Sequence, residues 1–324
     1  MRTDRMSEPI PLAVVDASEA DGDAVQALRR RIDQTLAELL PAPVDAHDLV
    51  AAAMQDGVLA PGKRLRPLLM LLVGQSLGGP GCALLHLACA VEMVHAASLF
   101  LDDMPCMDNA RLRRGRLAVH ARFGEDVAML GAVALLSQAS ATVASAPGLD
   151  PSRQAQLVRV LCDAIGVNGL VRGQYRDLRE GAAQRQASEV ASANYQKTGA
   201  LFAAALEMAA IASEAPQHTA GLLRQAASHI GHAFQLKDDL EDGEHLVAPL
   251  TKDRHQDAGK STLVSLLGHE AVRVLLDDHV AQAEEAMRKA LPRDTAALAL
   301  VRKSLSSSRR VHPEETSAPK LRLL

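Results

Sequence analysis

Apolar residues return at three- and four-residue intervals along most of the chain. Between residues 24 and 40 they fall at Val25, Leu28, Ile32, Leu36, Leu39 and Leu40, the spacing of one helical face. Pro41 and Pro43 then stop that helix, since proline removes a backbone donor and clashes with the preceding turn. The same reading predicts helices near 65–77, 83–104, 125–145, 152–172, 188–212, 219–241 and 270–290. Glycine and proline punctuate between them at Gly78-Gly79-Pro80-Gly81, Pro147-Gly148, Gly181 and Pro216. Good helix formers dominate and runs of β-branched residues are rare. No strand-turn-strand pattern stands out. The pattern predicts one all-α domain over residues 23–304, between polar tails at 1–22 and 305–324.

Composition narrows the function. With 48% hydrophobic and 23% charged residues in 324, the chain has ample apolar content for a sizeable core. A formal net charge of -4 gives no electrostatic case for nucleic acid or for an anionic membrane. Tryptophan is absent, and four Phe with two Tyr leave no stacking platform for bases. Neither GxGxxG nor a Walker loop occurs, so the α/β nucleotide sites are unsupported. Cys82, Cys89, Cys106 and Cys162 form no CxxC pair and have no histidine cluster to complete a zinc site. Scattered single cysteines fit a reduced cytoplasm. The first twenty residues carry acidic residues and two prolines and do not read as a signal peptide. Apolar runs such as Leu68–Val73 fall far short of the roughly 20 residues that span a bilayer. The expectation is a cytoplasmic protein with no transmembrane segment and no nucleic-acid partner.

Two acidic clusters carry the chemistry. Leu99-Phe100-Leu101-Asp102-Asp103-Met104-Pro105-Cys106-Met107-Asp108 closes one apolar helix, and Phe234-Gln235-Leu236-Lys237-Asp238-Asp239-Leu240-Glu241-Asp242 closes another. At about 100° per residue, Asp242 lies only about 40° round from Asp238, with Asp239 on the adjoining flank. Carboxylates so placed repel one another, and a hard divalent cation removes the conflict. Mg²⁺ joins one or two carboxylates to substrate phosphates and keeps several waters. In the first cluster a regular helix would carry Asp108 roughly 240° from Asp102. Pro105 makes regular helix untenable there, so the helix is expected to end and turn Asp108 back towards Asp102. A single acidic run is most often solvated surface; two, each closing an apolar helix, are harder to dismiss.

Cations flank both clusters. Lys63, Arg64 and Arg66 precede the first, Arg113, Arg114 and Arg116 follow it, and Lys252 and Lys260 follow the second. Guanidinium pairs phosphate oxygens two at a time and ammonium acts as a point charge. Single surface ion pairs contribute little, but metal ions and cations together are what a diphosphate leaving group needs. His95, seven residues before Asp102, shares its helical face to within about 20°.

These motifs resemble the trans-isoprenyl diphosphate synthases, and within them the bacterial geranylgeranyl diphosphate synthases of the carotenoid-pathway type. The resemblance rests on Gly62–Pro67, Leu101–Asp108, Leu112–Arg116, Gly173-Gln174, Lys197-Thr198, Gln235–Asp239 and Gln256–Thr262, and covers roughly residues 25–290. It implies an isoprenoid-synthase-type helical bundle around a deep central cavity, usually a homodimer. It implies that Asp102, Asp103 and Asp108, with Asp238, Asp239 and Asp242 opposite, hold two or three Mg²⁺ ions on the allylic diphosphate. Arg113, Lys197, Lys252 and Lys260 would grip that diphosphate. Lys63, Arg66, His95 and Arg114 would bind isopentenyl diphosphate. Thr198 and Gln235 would stabilise the allylic cation, and Gln174 and Asp177 would line the site. Relatives commonly carry a second aspartate after Asp108; this chain has Asn109, which keeps an acceptor and loses a charge.

The implied reaction joins isopentenyl diphosphate to dimethylallyl, geranyl or farnesyl diphosphate, with geranylgeranyl diphosphate (C20) as product. Ala88, Val91 and Ser98 share the Asp102 face to within about 40° and none is a bulky aromatic, whereas Phe100 points about 160° away. An open path favours C20 over C15. Ala97, by resemblance alone, is where shorter-product relatives carry an aromatic stop. The alternatives are a farnesyl diphosphate (C15) synthase, a class I terpene cyclase, which needs no second substrate, and a non-catalytic prenyltransferase subunit.

Overall fold

The computed structural model describes residues 20–180, 186–244 and 262–306, and the side chains of 22–180, 186–241 and 262–306. Helix α1 (Ala20–Leu39) buries the stripe Leu28, Ile32 and Leu36, as its period requires. α2 (Leu49–Val58) starts at Asp48, whose carboxylate accepts the Ala51 N–H at 3.2 Å. α3 (Leu65–Ser76) and α4 (Gly81–Asp102) follow, then a hairpin of β1 (Leu112–Arg113) and β2 (Arg116–Leu117), then α5 (Val119–Phe123) and α6 (Glu125–Ala144). α7 (Pro151–Ile165) opens with an Asp150 cap and a proline in its first turn. α8 (Leu170–Glu180), α9 (Ala187–Asn194), a π-helical turn (Tyr195–Gly199), α10 (Ala200–Ala212) and α11 (Gln217–Glu244) come next. α12 (Leu263–Leu267), α13 (His269–Ala290) and α14 (Ala296–Leu305) complete the described chain.

The expected all-α architecture is present. α3, α4 and α10 are buried on nearly every side and form the centre of the core; a helix apolar all round belongs there. α4 lies along α6, and α11 along α13. Phe100 leaves the Asp102 face of α4 and fills a notch made by Gly57 of α2 and Gly131 of α6; a β-carbon at Gly131 would stand 3.3 Å from its ring. That contact fixes the roll of α4 and therefore the direction of the aspartates at its end.

The structure departs from the sequence reading in several places. The helix expected over 152–172 is two helices, because the chain breaks between Ile165 and Leu170, where a β-carbon on Gly169 would collide with the Ala164 carbonyl. The 188–212 stretch contains the π-helical turn. α2, α5, α12, α14 and the two-residue strands were not foreseen. By length and composition α4 and α6 reach the dimensions of a membrane span, which the short run Leu68–Val73 did not suggest. In α4, however, 72% of the apolar window is buried inside the bundle, against 44% in α6. Cys82, Cys89, Cys106 and Cys162 are all free.

Candidate active site

α4 ends at Asp102, and the backbone folds back at once: the Asp108 N–H donates to the Asp102 carbonyl at 2.9 Å and the Ala110 N–H to that of Asp103 at 3.1 Å. Pro105 thus sits in a turn, and the backbone at Asp108 returns to the first pair, as the sequence predicts. Asn109 follows in the left-handed region at φ 50 with an exposed side chain. Asparagine and aspartate tolerate that conformation better than other side chains. Asp102 is pushed up to about 6, first by burial and then by Asp108 and Asp103, against the pull of Lys197 and Arg113. Asp103 is also raised, by burial, although Arg113 opposes the shift.

Arg113 and Arg114 are delivered by the hairpin. Arg114 and Gly115 form its two-residue turn with φ of 54 and 76; two positive values are what a tight hairpin turn of this length demands. Arg113 Nε donates to both Asp103 oxygens at 3.0 and 3.2 Å, and its Nη2 donates to Oδ1 as well. Arg114 turns the other way, donating to the Pro61 carbonyl at 3.0 Å. Its guanidinium lies against Gly62, where a β-carbon would collide with it.

Arg66 is the most telling side chain. It is 8% exposed, its guanidinium stacks 4.4 Å above Phe202 and 5.5 Å from Phe234, and its Nε has no hydrogen-bond partner among the described residues. Burial lowers its pKa to about 10, with Glu92 and Asp238 acting to raise it and Arg114 to lower it. A buried cation with an unmet donor is costly when left alone. His95 is held well below the usual imidazole range by burial and then by Arg66, Arg114, Arg113 and Arg64. It is a neutral hydrogen-bonding group among arginines. Lys63 is exposed at the rim, its carbonyl accepting from Arg29 Nη2 at 3.2 Å.

The π-helical turn links the two acidic ends. Lys197 Nζ donates to Asp177 Oδ2 of α8 at 2.8 Å. Burial opposes its charge, but Asp177, Asp102 and Asp108 raise its pKa overall. Its neighbour Thr198 donates from Oγ1 to Gln235 Oε1 at 3.0 Å, and Gln235 Nε2 donates to Asp239 Oδ1 at 2.8 Å. Three glycines permit this closeness: β-carbons on Gly173, Gly199 and Gly231 would strike the Lys197 backbone, the Tyr195 ring and the Gly199 backbone respectively. Gln174 donates to Met107 Sδ at 3.6 Å, and its buried Oε1 has no partner among the described residues.

The structure therefore gathers Asp102, Asp103 and Asp108 with Arg113 and Lys197. It places Arg66, His95 and Arg114 in one basic cluster, and ties Gln235 and Asp239 to Thr198. Asp238 is near enough to act on Arg66. Lys252, Lys260 and the Asp242 side chain lie outside the described residues. Sequence reasoning named Arg64 but missed its partners Glu92 and Asp33, which lie 28 and 31 residues away. It also missed Asp56, which pairs with Arg116 and Arg122 and pins the hairpin and α5 to α2. The donor set suits Mg²⁺: hard carboxylate oxygens, one already destabilised as an anion, beside cations able to share a phosphate. Among the described residues no group of three such ligands is set to hold an ion by itself.

The all-α bundle is the isoprenoid-synthase fold of its solved prenyltransferase neighbours. The chain belongs to the polyprenyl synthetase family, whose model matches residues 47–299. It is 50% identical over 268 residues to the geranylgeranyl diphosphate synthase of Pantoea ananas, covering 81% of this chain and 86% of that protein. The fold superposes with a TM-score of 0.80 on an FPP/GFPP synthase from Zymomonas mobilis in its apo form, at 32% identity over 89% of this chain and 99% of that one. A geranyltransferase from Helicobacter pylori complexed with magnesium and isoprenyl diphosphate matches with a TM-score of 0.79 at 25% identity, covering 90% and 98% of the two chains.

Proposed function

We propose that this trans-prenyltransferase joins isopentenyl diphosphate to dimethylallyl, geranyl and farnesyl diphosphates, with geranylgeranyl diphosphate as product. The observation that carries the reading is Arg66, a buried cation whose Nε has no partner among the described residues, in a bundle whose central helix ends on Asp102 and Asp103. The relative named a geranylgeranyl diphosphate synthase favours the C20 product. So does the absence of a bulky aromatic from the Asp102 face of α4, with Phe100 turned aside into its glycine notch. Two or three Mg²⁺ ions, held by Asp102, Asp103 and Asp108 and by Asp238, Asp239 and Asp242, would supply charge neutralisation for the departing diphosphate.

The chain's own groups would do the rest. Arg113 and Lys197, now paired to Asp103 and Asp177, would exchange part of those bonds for diphosphate oxygens, joined by Lys252 and Lys260 from outside the described residues. Thr198 spends its proton on Gln235, so its oxygen lone pairs remain to face a developing carbocation. Lys63, Arg66, Arg114 and neutral His95 would hold isopentenyl diphosphate, whose double bond attacks the allylic carbon. A proton then leaves to the departing diphosphate. Exclusion of water by the bundle protects the cation. We read residues 23–304 as one catalytic domain, acting in the cytoplasm as a homodimer.

Incubation of the purified chain with Mg²⁺, isopentenyl diphosphate and each of the C5, C10 and C15 allylic diphosphates tests this. The expected result is C20 diphosphate from all three. A product that stops at C15 would replace the chain length with the farnesyl alternative. Hydrocarbon from farnesyl diphosphate alone would make the chain a cyclase, and no turnover by the pure chain would make it a non-catalytic subunit.

A further inference from the structure

Glu92 belongs to none of the motifs that point to the site, yet it is only 3% exposed on α4, one turn before His95. Its Oε1 accepts from Arg64 Nη1 at 2.7 Å, with both side chains almost wholly buried. Arg64 spends its other donors nearby: Nε on Asp33 Oδ1 of α1 at 2.8 Å, and Nη2 on the carbonyls of Val58 at 2.8 Å and Ala60 at 3.1 Å. One guanidinium thus ties together α1, the end of α2, the loop after it and α4.

The backbone of Arg64 is also unusual. Its φ is 50, in the left-handed region, immediately before α3. A long L side chain pays a steric penalty there, and such strain persists only where the surroundings over-determine it. The bend separates Lys63, at the rim, from Arg66, buried in the second position of α3. Glu92 further acts as an attractive charge on Arg66 and on Arg114, while Arg114 repels Arg66 and Arg64 repels Arg114.

We propose that Glu92 is a positioning residue for isopentenyl diphosphate: through Arg64 it locks the bend that presents Lys63 and Arg66 as one anion-binding pair, and it offsets the repulsion among Arg64, Arg66 and Arg114 before substrate arrives. This rests on the function proposed above. A buried ion pair is weak support for stability by itself, so the pair's value lies in the geometry it enforces.

The test is steady-state kinetics of Glu92→Gln against each substrate in turn, with thermal unfolding alongside. The KM for isopentenyl diphosphate is expected to rise roughly tenfold to a hundredfold, the range that loss of one charge-assisted bond covers. The KM for the allylic diphosphate and kcat should stay within about twofold of the parent. Glu92→Asp, which keeps the charge on a shorter arm, should recover part of the loss. An unchanged KM for isopentenyl diphosphate would overturn the proposal, as would a fall in kcat with an equal rise in both KM values. Should Glu92→Gln fail to fold, Asp33→Asn at the half-exposed end of the same guanidinium carries the test: a smaller rise in the same KM supports the role, and none overturns it. A parent chain that never incorporates isopentenyl diphosphate would instead remove the proposed function, a distinct result.

Discussion

Gly173 has no side chain, and α8 can therefore rest on the backbone of Lys197. That approach sets the 2.8 Å bond between Asp177 and Lys197. A methyl group at this position must push the two elements apart, because the obstacle is backbone and cannot rotate away. Gly173→Ala should destabilise the fold by about 1–3 kcal/mol, the usual cost of overpacking, and lower kcat, since Lys197 loses its fixed partner. Denaturant unfolding and turnover measured together check this; normal stability with normal turnover would mean that α8 yields without consequence. The Gly173-Gln174 pair was legible only as a family motif, because the contact that explains it lies 24 residues away in sequence. Asp102, Asp103 and Asp108 were legible from the residues themselves. Helical spacing placed the first two at the end of an apolar face, and Pro105 required the backbone to turn before the third.

At the scale of elements, α11 and α13 meet through three histidines. The Nδ1 atoms of His229 and His279 lie at hydrogen-bonding distance, 2.9 Å apart, their rings 5.2 Å between centroids, and His279 stacks at 5.0 Å on His232. His232 stacks in turn on Tyr195 of the π-helical turn, at 5.2 Å. All three imidazoles are held below their ordinary range by burial first, and His232, down to about 4, and His279 also by their neighbouring histidines. Asp278 pulls the other way on His229 and His279. With folded pKa values below the unfolded ones, the native state binds fewer protons than the unfolded chain between about pH 6.5 and 4. The cluster's contribution is therefore complete above about pH 6.5 and is lost as pH falls towards 4. His232→Gln should flatten the fall in unfolding midpoint between pH 7.5 and 5; parallel midpoints for parent and variant would sink the assignment. None of this was readable in advance: helix existence follows from apolar spacing, but which helix faces which does not. The π-helical turn left no mark either, since Tyr195–Gly199 fits helical spacing as well as its neighbours do.

For the molecule as a whole, the bundle leaves an apolar stripe uncovered. Met129, Leu130 and Val133 of α6 are 48%, 58% and 65% exposed, and Val171 and Tyr175 of α8 are also exposed. Exposed apolar residues grouped on one helix face, as on α6, are what the proposed homodimer would cover. Val133→Asp should convert a particle of twice the chain mass into a single chain in light scattering after gel filtration; a parent that already runs as a single chain would contradict the dimer. The five-residue turn at Tyr195 bears on any attempt to harden this chain against heat. Deleting one residue would restore an even rod, but it would also swing everything beyond the cut by about 100°. Thr198 would then leave Gln235, or Lys197 would leave Asp177. The irregularity is a hinge pin that thermostabilising design has to build around.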